Sequence, residues 1–262
     1  MARGFLAADR HVLRVSGADH RKFLQDLVTN NVDLLADGAV YAALLTPQGK
    51  YLSDFLMVPE ETAVLLDVAA AQAPDLLKRL TMYKLRADVA LADTGLQVIQ
   101  GWGTPLPRGA MADPRHPELG WRVYTETPAD LLDALSPAAP DDWDAVRVRL
   151  GVPEAEVELL PNDSYILEAG FDRLNGVDFR KGCYVGQEVT ARMRHKTELR
   201  KGLVRVSVQG DVPPPATTVE VDGKPVGTLF TVAQGEGLAH LRFDRATGEM
   251  RAGGARLTRL DT

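Results

Sequence analysis

The chain has 262 residues, with 36 acidic and 30 basic side chains and a formal net charge of −6; 45% of residues are hydrophobic and 25% charged. These are globular proportions, which exclude a disordered chain, and the acidic balance disfavours a dedicated nucleic-acid binder. The longest apolar runs, Thr62-Ala63-Val64-Leu65-Leu66 and Ala42-Ala43-Leu44-Leu45, fall far short of the roughly 20 residues that cross a bilayer. The opening Met1-Ala2-Arg3-Gly4-Phe5-Leu6 lacks the long apolar stretch of a secretory signal. A soluble cytoplasmic protein with no membrane contact is expected.

Taken in order, the chain opens with a short strand at His11–Val15. Ser16 can cap a helix whose inward face is Phe23, Leu24, Leu27 and Val28, with Asn30-Asn31 ending it. Two strands, Tyr41–Thr46 and Tyr51–Val58, flank the turn Pro47-Gln48-Gly49-Lys50, and Pro59-Glu60-Glu61 turns the chain into Thr62–Val68. A helix over Pro74–Tyr83 buries Leu76, Leu77 and Leu80, and strands follow at Arg86–Leu91 and Leu96–Gln100. Residues 101–142 hold seven of the sixteen prolines and read as a loop-rich connection with one strand, Arg122–Thr125, and one short helix, Ala129–Leu135. Asp141-Asp142 can cap a helix over Trp143–Leu150, stopped by Gly151 and Pro153.

From Leu203 the pattern becomes short β runs at 203–208, 219–221, 226–232, 238–243 and 256–260, with Asp222-Gly223 as a hairpin turn. The expected class is α+β, with a small β-barrel or sandwich at the C-terminal end. The domains are an α+β body over 1–200 and a barrel over 201–262. Gly101-Trp102-Gly103 mimics the start of a dinucleotide loop, but it lacks a third glycine and Pro105 and Pro107 stand where a helix must begin.

The chain has a single cysteine, Cys183, so any metal cluster has to be shared with a partner. The five histidines are scattered, and no metal site of its own is expected. Cys183 lies in Arg180-Lys181-Gly182-Cys183-Tyr184-Val185-Gly186-Gln187-Glu188, and a helix over Gln187–Arg194 would place it just before a helix N-terminus. Lys181 and Arg180 beside that terminus would favour a thiolate, with Gly182 and Gly186 freeing the backbone around it. A lone cysteine is otherwise a small buried hydrophobe, and Gly182, Tyr184 and Gly186 otherwise a tight strand-to-helix turn. From Arg180 to Arg205 eight Lys or Arg residues face two glutamates, giving +6 and leaving −12 for the rest of the chain. Such a run is a solvated face or meets an anion.

Lys181–Glu188 resembles the KGCYxGQE signature of the YgfZ-type folate-binding proteins, a branch of the glycine-cleavage T-protein (aminomethyltransferase-like) superfamily. Thr190-Ala191-Arg192 is similar to the mitochondrial members of that branch, which serve [4Fe–4S] cluster assembly. The resemblance extends through Val15–Asp19 with Phe23-Leu24-Gln25, Thr46–Lys50 with Asp54-Phe55, Tyr83-Lys84-Leu85-Arg86, the helix from Trp143 to Pro153, and Pro161–Asp178.

It implies a ring-like, GcvT-like folate-binding body, with subdomains of about 1–95 and 96–200 interleaved around a central hole that holds tetrahydrofolate, plus the C-terminal barrel. The implied role is that of an accessory factor for assembly or repair of iron–sulfur proteins. Cys183 would be the key thiol and Lys181 its neighbour in the chemistry, with Gly182, Tyr184, Gly186, Gln187, Glu188 and Arg192 as motif residues. Trp143 falls where the family places an aromatic contact to folate, though it is equally a core anchor of its helix. Arg147, Asp54 and Tyr83 are the polar candidates for the same hole.

Implied partners are folate, with a polyglutamate tail as one anion for the basic run, and iron–sulfur assembly proteins with their client enzymes; the chain is expected to be a monomer. Two other roles are open. One is folate-dependent aminomethyl transfer, against which Ser53-Asp54 stands in place of paired aspartates. The other is RNA binding or tRNA modification through the +6 run, in which only Tyr184 among the interleaved residues can stack on a base.

Overall fold

The computed structural model describes residues 1–195 and 199–260. In the first lobe the apolar runs pair as an antiparallel sheet ordered Val40–Leu45, Tyr51–Pro59, Ala63–Ala69, Arg10–Ser16, Ala90–Asp93. Both faces of this sheet are covered, and the strand period of two sorts its side chains between two cores. Ala42, Leu44, Phe55 and Leu66 pack with helices α1 (His20–Leu27) and α2 (Ala73–Tyr83). Tyr41, Ala43, Leu45 and Leu65 face the segment that leads to Cys183.

The first helix starts later than Ser16 would have it. Ser16 is the last residue of its strand, and the Asp19 carboxylate accepts the backbone N–H of Asp88 at 2.8 Å and makes no helix cap. The strand expected over Arg86–Leu91 is shifted to Ala90–Asp93, because residues 84–89 turn the chain back from α2.

The second lobe is a sheet ordered Ser136–Pro137, Arg3–Leu6, Gln97–Trp102, Trp121–Thr125, Met111–Ala112. Its strand Arg3–Leu6 carried no sequence signal. This strand pairs antiparallel with Gln97–Trp102 before the chain crosses to the first lobe at Arg10, so the lobes interleave. The short helix α3 spans Pro128–Asp133. Helix α4 spans Pro140–Arg149 and so begins before Trp143: Pro140 needs no N–H partner in a first turn, and the Asp142 carboxylate accepts the Ala139 N–H at 2.9 Å.

Residues 151–186 contain no regular element, yet Val152, Leu159, Ile166, Phe171 and Leu174 are buried in the core shared by both lobes. Phe171 stacks on Tyr41 with ring centroids 4.8 Å apart. Helix α5 (Gln187–His195) follows. Lys196 and Glu198 of the basic run lie outside the described residues.

The C-terminal strands close a six-stranded barrel in the order Lys201–Gln209, Glu236–Arg242, Lys224–Ala233, Thr217–Val221, Met250–Ala252, Ala255–Arg259. Its hairpin at Asp222-Gly223 has both residues at positive φ, the geometry that matches strand twist. Among the described residues no helix is long and apolar enough to cross a membrane.

Candidate functional site

The loop that carries Cys183 is clamped on both sides. On its N-terminal side, residues 175–181 are stitched to the turn after α1. Asn30 donates to the carbonyls of Tyr41 and Asn175, Thr29 Oγ1 donates to the Gly176 carbonyl, and Asp178 N–H donates to Thr29. Lys181 completes the seam. Its ammonium is buried and donates to the carbonyls of Gln25, Val28 and Asn30 at 2.7, 2.6 and 2.9 Å. Those carbonyls belong to the last turn of α1 and the residues just after it, where helix acceptors lack partners and a cation is favoured. Burial lowers the Lys181 pKa to about 8, so the group remains charged at neutral pH.

On the C-terminal side, Gly186 sits at φ +84° against the turn Pro47–Lys50. A Cβ there would lie 2.6 Å from the Thr46 carbonyl oxygen, and one on Gly49 would lie 2.8 Å from Val189 on α5. The two glycines let the turn and the helix start interlock. Tyr184 is buried in the central core, Val185 packs on the first lobe, and Arg194 stacks over Phe179 at 3.7 Å. Between these anchors Cys183 is exposed. That rules out a core role for this cysteine. Gly182 beside it has ordinary φ and open space around its Cα, so the freedom expected there is not used by the fold.

The centre of the molecule differs from a ligand-sized hole. Asp9, Arg10, Asp54, Gln100, Arg122 and Arg147 line a cavity of about 30 Å³. Such a volume holds about two waters, whereas small-molecule pockets run to roughly 300–1,000 Å³. Buried ion pairs fill the space. Asp67, fully buried, accepts from Arg10 Nε at 2.7 Å, Arg122 Nη1 at 2.6 Å and the Tyr124 hydroxyl at 3.0 Å. Burial alone would raise the Asp67 pKa, but Arg10 and Arg122 outweigh it and hold it at about 2. Arg115 forms a second buried pair with Asp113 at 2.7 Å. Tyr41 and Tyr51 both donate to Asp54, at 2.9 and 2.6 Å, and burial followed by the Asp54 charge keeps both phenols well above their usual range.

The structure thus brings together some of the expected residues and separates others. Asp54, Trp143 and Arg147 line the central cavity. Arg147 is held by Asp144, Glu154 and Glu158 and donates to Thr231 of the barrel at 2.7 Å, so it ties the body to the barrel. Trp143 packs near Trp102, with ring centroids 6.5 Å apart. Tyr83 does not reach the cavity; it packs against the first-lobe core at the end of α2. Cys183 does not line it either.

The three N–H donors of Lys181 are all taken by carbonyls, so in this structure it tethers the loop. Gln187 starts α5, Glu188 is exposed in its first turn, and Arg192 is exposed in its last. The residues the sequence did not single out are Arg10, Asp67, Arg115 and Arg122. A signal existed: Asp67 interrupts the buried run 63–68, and an acid in such a place requires a partner.

A cavity of this size, filled by paired charges, does not fit tetrahydrofolate. Arg10, Arg122 and Arg147 are committed to carboxylates of the chain itself, and no pterin-sized face of Trp143 opens onto free space.

Comparison with known proteins places this architecture. The chain superposes on the crystal structure of glycine cleavage system aminomethyltransferase T from Bartonella henselae with a TM-score of 0.82, over 100% of this chain and 85% of that one, at 13% identity. The fold is therefore aminomethyltransferase-like, and residues 200–260 match the family described as CAF17, C-terminal beta-barrel domain. The chain is 31% identical to iron-sulfur cluster assembly factor IBA57, mitochondrial, of Mus musculus and 32% identical to the protein of that name from Homo sapiens. Each alignment covers 92% of this chain and 78% of the relative. It is 35% identical to the IBA57 homolog of Mycosarcoma maydis, over 81% of this chain and 59% of that longer relative. The chain belongs to the IBA57 family. The cytoplasmic location expected from the sequence is corrected by these comparisons, since the relatives are named as mitochondrial proteins.

Proposed function

We propose that this chain is an accessory factor in the assembly or repair of iron–sulfur proteins. In this reading Cys183 presents its sulfur to a cluster, a persulfide or a thiol carried by a partner protein. The observation that carries the proposal is an exposed thiol on a loop locked from both sides, by the Lys181 ammonium and by the Gly186–Gly49 interlock. A rigid loop holds a reactive atom in one place for an incoming partner at little entropic cost. Among the described residues no three His, Cys, Asp or Glu side chains gather to hold a metal, so a cluster would be cargo shared with the partner. The names of the relatives support the same direction.

The resemblance of Lys181–Glu188 points to folate, but the central cavity gives it no room. Against aminomethyl transfer, Ser53-Asp54 stands in place of paired aspartates, and Asp54 is held by two tyrosine hydroxyls. The test is Cys183→Ser in the producing cell. Loss of [4Fe–4S] enzyme activity is expected, with the protein folded and present at the normal level; undiminished activity overturns the proposal.

A further inference from the structure

A large concavity among the described residues lies away from Cys183, between α5 and the barrel. It encloses about 1370 Å³. That exceeds the usual span for small ligands, roughly 300–1,000 Å³, and suits a stretch of polymer. Arg200, Lys201, Arg242 and Arg245 line it, against one lining carboxylate among the described residues, Glu168. Glu168 is already engaged by Lys201 at 3.3 Å and His240 at 3.4 Å. Asp244 stands 4.0 Å from Arg242 and Arg245, at the limit of pairing, and all three are exposed. The lining cations therefore outnumber the carboxylates that could neutralise them, on a chain whose net charge is −6. Half-buried aliphatic surface from Met193 and Leu199 lies among these cations.

We propose that this groove is the docking site for an acidic, aliphatic polypeptide segment of a partner protein. Charge complementarity supplies the anionic half of that description, and the aliphatic lining supplies the other. An RNA strand fits less well. Among the described residues the lining contains no Phe, Tyr or Trp on which a base could stack, and its one aromatic ring, the His240 imidazole, is engaged by Glu168. The −12 carried outside residues 180–205 repels a polyanion at longer range. A peptide backbone needs no such platform; its carboxylates meet the arginines and its apolar side chains cover Met193 and Leu199. Met193 also lies on α5, the helix that follows the Cys183 loop, about two turns from Gln187 and so about 9 Å along the axis. A segment seated in the groove would bring the rest of its protein alongside that loop. The proposal stands on the groove itself and holds whether or not the thiol reacts.

The test uses the full chain and fluorescence anisotropy with three labelled probes. These are a short peptide alternating Glu and Leu, the same peptide with Gln in place of Glu, and single-stranded oligouridylate. The Glu peptide is expected to bind at least about tenfold more tightly than the Gln peptide, with an affinity that falls as salt rises. The double variant Arg242→Glu with Arg245→Glu is expected to weaken it by about tenfold or more. Arg200→Glu provides a second variant on the adjoining strand start, where the Arg200 carbonyl accepts the Phe243 N–H. All three arginines are exposed, so circular dichroism is expected to match the parent. Failure of the Glu peptide to bind, equal binding of the two peptides, indifference to the charge reversals, or tighter binding of the RNA each overturns the proposal. None of these readouts depends on Cys183.

Discussion

Replacement of Asp67 by Asn tests whether the centre of this protein is a structural plug. The side chain keeps its shape and loses its charge, which leaves Arg10 and Arg122 buried beside an amide. Removing one partner of a buried ion pair typically costs about 3–5 kcal/mol. Asp113, 3.8 Å from Arg122 Nε, compensates in part, so about 3 kcal/mol is expected here. The pH dependence adds a second, independent check. The folded pKa of Asp67 is depressed from 3.8 to about 2. A depressed carboxyl contributes stability that is present above the unfolded value and is lost as pH falls through the folded value. The difference corresponds to about 2 kcal/mol, given up between about pH 5 and pH 1. Urea unfolding of both proteins at pH 7 and at stepwise lower pH measures both quantities. The gap between parent and variant is expected to be widest near neutrality and to narrow in acid. A loss below about 1 kcal/mol at pH 7, or parallel acid profiles, would show that the central charges are solvated and the plug is not real.

Titration with tetrahydrofolate, followed by tryptophan fluorescence in the parent and in Trp143→Phe, is expected to give no saturable quenching assignable to Trp143. Saturable quenching lost in the variant would show that the ion pairs open to admit a ligand. Lys181→Met removes three hydrogen bonds from a charged donor to carbonyls, and a destabilisation of about 3 kcal/mol is expected together with faster hydrogen exchange across residues 178–190. Unchanged exchange there would refute its role as a tether. Gly186→Ala sets a Cβ 2.6 Å from the Thr46 carbonyl at positive φ and is expected to cost about 1–3 kcal/mol in thermal or urea unfolding. Gly182→Ala enters open space and is expected to stay within about 0.5 kcal/mol of the parent; equal losses at the two glycines would contradict the interlock.

What could be read from the sequence follows from how far apart the interacting residues lie. The strands of the first lobe and the barrel declare themselves because their patterns are local: Tyr51–Val58 is an apolar run and Asp222-Gly223 a turn between two others. Arg3–Leu6 gave no such signal, since four residues paired with a strand beginning at Gln97 depend on a distant partner. Ser16 misled for the opposite reason. It has the chemistry of a helix cap, but pairing with the edge strand Ala90–Asp93 keeps it extended.

The candidate site divides along the same line. Cys183 and its glycines form one contiguous segment, so the exposed thiol was legible from composition and spacing. The plug is assembled from Asp67, Arg10 and Arg122, at separations of 57 and 55 residues, and no single stretch contains it. Lys181 shows how the two combine. Local sequence puts its charge beside the cysteine, and the fold carries that charge 151 to 156 residues back to the end of α1. A cation adjacent in sequence to a thiol is therefore weak evidence that it acts on the thiol. Whether its donors are free is decided by the carbonyls the fold brings to it, and here three carbonyls take them all.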